Sequence, residues 1–133
     1  MYRPYAFGIG FVVTGCTISD LRGTGCVVGA SNALIENNVF EYMNRGVGIS
    51  CLSNCTEGPV PYNVLVRNNV FRHVGTAIES RFVPLGDGGR ILTAPIRGVR
   101  IEGNRYESVR QPHVMSFCGD DVKVMADDVA SFR

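Results

Sequence analysis

Three carboxylates and two guanidiniums gather where the chain departs from its regular pattern. Glu57 lies in the stretch 52–62, Glu79 and Arg81 precede or open the stretch 81–97, and Asp87 and Arg90 lie inside it. Two carboxylates on opposite sides of a glycosidic bond are the minimum equipment for general acid/base hydrolysis of a sugar. Glu57 and Asp87 are therefore the catalytic candidates, and Glu79, Arg81, Arg90 and His113 the candidates for binding substrate. The arginines could hold an acidic sugar or equally pair with the carboxylates. Other chemistry has thinner support. Cys51 and Cys55 lack the second ligand pair or nearby His that a zinc site requires. His113 and Cys118 are close only along the chain, which does not make a nucleophile pair. Gly86-Asp87-Gly88-Gly89 reads as a turn, because no helix follows for a phosphate-cradling loop to open. Neither a metal nor a cofactor is expected.

The elements that must position these residues are written in a repeat. Leu34-Ile35-Glu36-Asn37-Asn38-Val39-Phe40, Leu65-Val66-Arg67-Asn68-Asn69-Val70-Phe71 and Arg100-Ile101-Glu102-Gly103-Asn104-Arg105-Tyr106 are versions of one segment. Weaker copies surround Cys16 and Asp127. With Cys16, Asn38, Asn69, Asn104 and Asp127 as the common position, the spacings are 22, 31, 35 and 23 residues. A period in this range marks a solenoid, and variation by insertion suits a coil with loops. Val13, Ile35, Val66, Ile101 and Val124 stand three residues before the common position, and Phe11, Ala33, Val64, Val99 and Val122 five before. Ile18, Phe40, Phe71, Tyr106 and Val129 follow two after. The first two columns alternate with polar residues, as on a strand with one buried face.

Two polar columns alternate in sign down the copies: Glu36, Arg67, Glu102 and Glu41, Arg72, Glu107. Stacked strands lie about 4.8 Å apart, so such residues face each other across coils, and alternation replaces repulsion by attraction. Asn38, Asn69 and Asn104 predict an amide ladder at a tight bend with left-handed backbone angles. The expected fold is all-β: a single-domain (1–133) right-handed parallel β-helix of about five coils. A second strand column, Val27, Ile49, Ile78 and Val114, is expected inward. Val28, Ser50, Glu79 and Met115 would then form the floor of a groove walled by 52–62 and 81–97, with Cys26, Gly48, Ala77 and His113 beside them.

Composition narrows the partners. A net charge of +1 without a basic stripe argues against nucleic acid, and no apolar run reaches the roughly 18–20 residues of a membrane span. Five cysteines cannot pair completely. Arg3, the apolar run 6–13 and Val13-Thr14-Gly15-Cys16 imitate a lipoprotein signal, yet they satisfy the coil register and read as a first coil. Short, uncapped end coils predict either a piece of a longer solenoid or a homo-oligomer joined through the β-helix ends.

The stretch from Glu57-Gly58-Pro59-Val60-Pro61-Tyr62 through Asn68-Asn69-Val70-Phe71, with Asp20-Leu21-Arg22-Gly23-Thr24-Gly25-Cys26-Val27-Val28, resembles the pectate-lyase-like superfamily. More narrowly it is similar to bacterial glycoside hydrolase family 110, the α-1,3-galactosidases. The resemblance implies a secreted or periplasmic protein acting on terminal α-galactosides by inversion, without a cofactor. Glu57 is the family-matched acid in the groove. The family's Asp-Asp pair runs on into Asn-Val-His, whereas Asp120-Asp121 is followed by Val122-Lys123-Val124, so its role is not carried over. The expected function is a carbohydrate-binding β-helix module for an oligosaccharide or polysaccharide. The alternative is a non-catalytic module that assembles with copies of itself.

Overall fold

The computed structural model describes residues 10–28, 31–52, 62–83, 97–116 and 122–130. They form twelve strands and, among the described residues, no helix: β1 (Phe11–Thr14), β2 (Thr17–Ser19), β3 (Thr24–Val28), β4 (Ala33–Glu36), β5 (Val39–Leu52), β6 (Tyr62–Arg67), β7 (Val70–Val83), β8 (Arg97–Glu102), β9 (Arg105–Glu107), β10 (Gln111–Ser116), β11 (Lys123–Val124) and β12 (Val129–Ala130). Every pairing is parallel and joins successive coils. One sheet runs β1-β4-β6-β8-β11. A second runs β2-β5-β7-β9-β12, and β3 and β10 extend a third face on the later halves of β5 and β7. The result is a parallel β-helix of five coils, as the repeat requires.

The column residues are register partners. Val13, Ile35, Val66, Ile101 and Val124 pair in turn, as do Ile18, Phe40, Phe71 and Tyr106. The rings of Phe40 and Phe71 stack at 5.0 Å, and those of Phe71 and Tyr106 at 5.5 Å, nearly parallel. Coil spacing thus sets an aromatic column along the core. The bend beside it must be small: a Cβ on Gly46 would sit 2.5 Å from the Phe71 ring and 2.6 Å from the Ala77 carbonyl.

Beside the core runs the amide ladder. Asn38 donates its backbone N–H and one Nδ2–H to Asn69 Oδ1, each at 3.0 Å. Asn69 does the same to Asn104 Oδ1 at 2.9 Å. The other Nδ2–H reaches back to a strand carbonyl: Val13 from Asn38, Ile35 from Asn69 and Val66 from Asn104. Each buried amide spends both hydrogens, Asn69 and Asn104 Oδ1 each accept twice, and Asn38 Oδ1 accepts from Cys16 N–H at 3.0 Å, so every side-chain amide atom of the ladder has a partner. The left-handed backbone falls one residue earlier than the ladder position, at Gly15, Asn37, Asn68 and Gly103. Bend and ladder are thus divided between adjacent residues, which explains the Asn-Asn doublet.

The last coil differs from its expected register by one residue. Val124 pairs with Ile101 as expected, but Val129 pairs with Arg105 and Ala130 with Tyr106. Ala126 and Asp127 form a turn closed by Asp128 N–H to Met125 O at 3.0 Å. Two residues stand there where the other coils spend one left-handed residue. Asp128, not Asp127, therefore ends the ladder, accepting from Asn104 N–H at 2.8 Å and Nδ2–H at 2.7 Å.

Of the charge columns, Arg67 Nε reaches Glu36 and Arg72 Nε reaches Glu107, both at 2.8 Å. Their register is the alternating one read from the residues.

Candidate functional site

The expected groove floor lies on the face of β3, β5, β7 and β10, with its phase corrected at both ends. Its register is also shifted by two residues on β5, where Gly48 and not Ser50 pairs with Glu79, and Ile49 pairs with Ser80 rather than Ile78. Val27 is 59% exposed and Val28 is 1% exposed, the reverse of the expectation. The outward column is Val27, Gly48, Glu79 and Val114. Cys26, Val47, Ile78 and His113 form one inward column, and Val28, Ile49, Ser80 and Met115 another. Cys26-Val27-Val28 and His113-Val114-Met115 offer no apolar/polar alternation, so the preceding corner sets their phase rather than the strand itself. Counting nine residues from Asn38, Asn69 and Asn104 lands on Val47, Ile78 and His113. The first coil needs one residue more from Cys16 to Cys26.

Glu79 is the expected floor residue that the structure confirms as outward. Its carboxylate, 13% exposed, lies 3.7 Å from Arg45 Nε of the coil before. Leu52 and Val83 are register partners where β5 and β7 end, and Tyr62 and Arg97 are partners where β6 and β8 begin. The segments 53–61 and 84–96 therefore leave and rejoin the solenoid at the same two corners on neighbouring coils. Arg81 belongs to β7, paired in register with Ser50 and Ser116. Glu57, Asp87, Arg90, Cys55 and Asp120 lie outside the described residues.

His113 does not border the floor. It points into the solenoid, where Tyr106 and Asp128 meet it. Asp128 Oδ2 accepts from the Tyr106 hydroxyl and from His113 Nε2, the latter at 2.6 Å, and Tyr106 Oη lies 2.9 Å from the same nitrogen. A carboxylate only accepts, so Nε2 carries a proton. The imidazole stands edge-on to the Tyr106 ring, with centroids 5.3 Å apart. Burial pushes the Tyr106 phenol far above its ordinary range, and the Asp128 carboxylate pushes the same way. Burial alone would raise Asp128, but hydrogen bonds from His113, Tyr106 and Asn104 outweigh it and hold the carboxyl below its usual value.

Two apolar interior columns turn polar on the later coils, where the amide column turns to a carboxylate. Phe40 and Phe71 give way to Tyr106, Val47 and Ile78 to His113, and Asn38, Asn69 and Asn104 to Asp128. That conjunction was legible in principle, but only with the third face counted from the correct corner. Chemically the cluster is closed, its polar atoms bonded to one another. The Asp128 side chain is wholly buried and His113 is 21% exposed, so solvent reaches the imidazole edge and not the carboxylate.

Among the described residues no cluster of His, Cys, Asp and Glu is suited to hold a metal ion. The buried Cys26 thiol is pushed up to about 11 by burial, which keeps it protonated and inert.

No curated protein and no solved structure shows a significant match to the chain. The family described as right handed beta helix region matches residues 7–126, a span that takes in the columns described above as far as Val124. Parallel coils, an interior amide ladder and that match together mean that the chain belongs to the right-handed beta helix family.

Proposed function

We propose that this β-helix is a carbohydrate-binding module whose ligand lies along the outward face of β3, β5, β7 and β10. The observation that carries the reading is Glu79. A carboxylate held mostly out of water, with Arg45 at 3.7 Å, stands in a column otherwise made of Val27, Gly48 and Val114. Small and apolar neighbours leave a shallow surface for a sugar ring, and a fixed acceptor orients its hydroxyls. Binding sites commonly combine such an apolar lining with a few placed polar groups. The corner segments 53–61 and 84–96, which carry Glu57, Asp87 and Arg90, would wall this face on successive coils.

Within this reading Glu57 and Asp87 are the candidates for hydrolysis, in keeping with the resemblance to α-1,3-galactosidases. The test is calorimetric titration with neutral galacto-oligosaccharides of wild type, Glu79→Gln, Glu57→Gln and Asp87→Asn, together with thermal melts. Affinity lost in Glu79→Gln at an unchanged melting temperature supports the proposal. Wild-type affinity in that variant, or no binding by the wild type, counts against it. Release of galactose that stops in Glu57→Gln or Asp87→Asn would add hydrolysis.

A further inference from the structure

Away from that face, at the corner between the second and third sheets, Asp20, Tyr42, His73 and Ser108 occupy one position on four successive coils. All four are left-handed, with φ between 52° and 60°. Asp and His are comparatively tolerant of that conformation, whereas a bulky side chain such as that of Tyr42 pays for it sterically. Two rings nevertheless stand there on adjacent coils. The Tyr42 phenol and His73 imidazole stack with centroids 4.9 Å apart and planes 5° from parallel. A tyrosine held in a costly backbone conformation at an exposed place justifies a functional hypothesis.

His73 covers one face of the Tyr42 ring, yet Tyr42 is 52% exposed. The opposite face therefore looks into solvent, over Asp20 on the coil before. That short side chain leaves room for one more ring at the same coil spacing. Polar groups surround the opening. Asp20 Oδ2 accepts from Ser19 Oγ at 3.2 Å, and Glu41 precedes Tyr42. Arg72, the cross-coil partner of Glu41, reaches Glu107 at 2.8 Å instead. Carboxylates beside an open aromatic face accept from hydroxyls and repel anions. The exposed Leu21 extends the apolar edge.

We propose that the open face of Tyr42, with Asp20 and Glu41 as acceptors, is a stacking site for a neutral pyranose. The positively polarised C–H groups of a sugar ring face match the negative face of the phenol. Anionic sugars and nucleotides are disfavoured by the two carboxylates. The inference deepens the carbohydrate reading by adding a subsite and a sugar charge class. Tyr42 is three residues from Arg45, about 10 Å along an extended strand, so a single oligosaccharide could span from Tyr42 to Glu79 around the corner.

The test is NMR titration of wild type, Tyr42→Gly, Tyr42→Phe and Glu79→Gln with a neutral galactan hexamer, and with oligogalacturonate as the anionic probe. The neutral hexamer should shift the Tyr42 and His73 ring protons. Tyr42→Gly should weaken binding about 2–10-fold, while Tyr42→Phe retains it and oligogalacturonate binds more weakly. Because glycine relieves the left-handed backbone, Tyr42→Gly should also raise the melting temperature by about 2–6 °C, so loss of binding would not reflect loss of folding. Wild-type affinity in Tyr42→Gly, unmoved ring protons at any hexamer concentration, or preference for oligogalacturonate overturns the stacking site. Loss of binding in Glu79→Gln alone would keep the floor and overturn the platform. Loss in Tyr42→Gly alone would do the reverse.

Discussion

The middle of the solenoid and its last coils solve the same problem with different chemistry. In the middle, Asn69 is flanked by an equivalent amide on each side, so one neutral residue both accepts from the coil before and donates to the coil after. Phe40 and Phe71 likewise stack as identical rings. On the coil of Asp128 the ladder position holds a side chain that supplies only acceptors. Its second oxygen must then be satisfied laterally, and Tyr106 and His113 do so from the columns beside it. The difference shows that an amide column relays hydrogen bonds only while each member both accepts and donates, and that a carboxylate placed in the column stops the relay and turns its bonds sideways.

The sharpest way to break the comparison is at its centre. Asn69→Leu would strip an acceptor from Asn38 N–H and Nδ2–H, and a donor from Ile35 O and Asn104 Oδ1. Unpaired buried groups are costly, so we expect a loss of about 3–5 kcal/mol in denaturant unfolding. A melting curve equal to wild type would refute the ladder as a stabilising element.

The Asp128 cluster should instead reveal itself through pH. Asp128→Asn should cost about 1–3 kcal/mol at pH 7, because a buried carboxylate loses charge-assisted hydrogen bonds. The Asp128 carboxyl is held below its unfolded value near 3.8. Its contribution is therefore fully present above that value and is lost as pH falls through the folded one. The stability gap between wild type and Asp128→Asn should be constant near neutrality and narrow below about pH 4. A gap that does not change down to pH 2 would mean that the cluster works by shape and not by charge.

The smallest effect is expected outside the ladder, on the same coil. Arg67 is one of the alternating charges and pairs with Glu36 at 2.8 Å on a partly exposed surface. Arg67→Gln should change stability by no more than about 0.5–1 kcal/mol. A loss approaching that of Asn69→Leu would move the weight of cross-coil specificity from the interior amides to the surface charges.

Much of this architecture was legible from residue types alone. Ile35, Val66 and Ile101 alternate with polar neighbours, the two charge columns alternate in sign, and Asn38, Asn69 and Asn104 recur at one place. Each of these signals is local to a strand and its adjoining bend, where side-chain direction follows from the two-residue period. Glu79 was legible for the same reason, standing between buried Ile78 and Ser80. The phase of Val27 and Val28, the inward turn of His113 and the shift from Asp127 to Asp128 were not. They depend on how many residues each corner consumes, and a one-residue change there reverses every side chain that follows.

The amino-acid sequence by itself determined that the chain coils, which residues face its core on the first sheet and where the amide ladder runs, because periodicity and hydrogen-bonding capacity are properties of short segments. Only the tertiary structure decided that Tyr106, His113 and Asp128 share one buried cluster and that Tyr42 and His73 stack in the open. Both arrangements arise because coiling brings residues 7 to 31 positions apart to within a hydrogen bond or a ring stack.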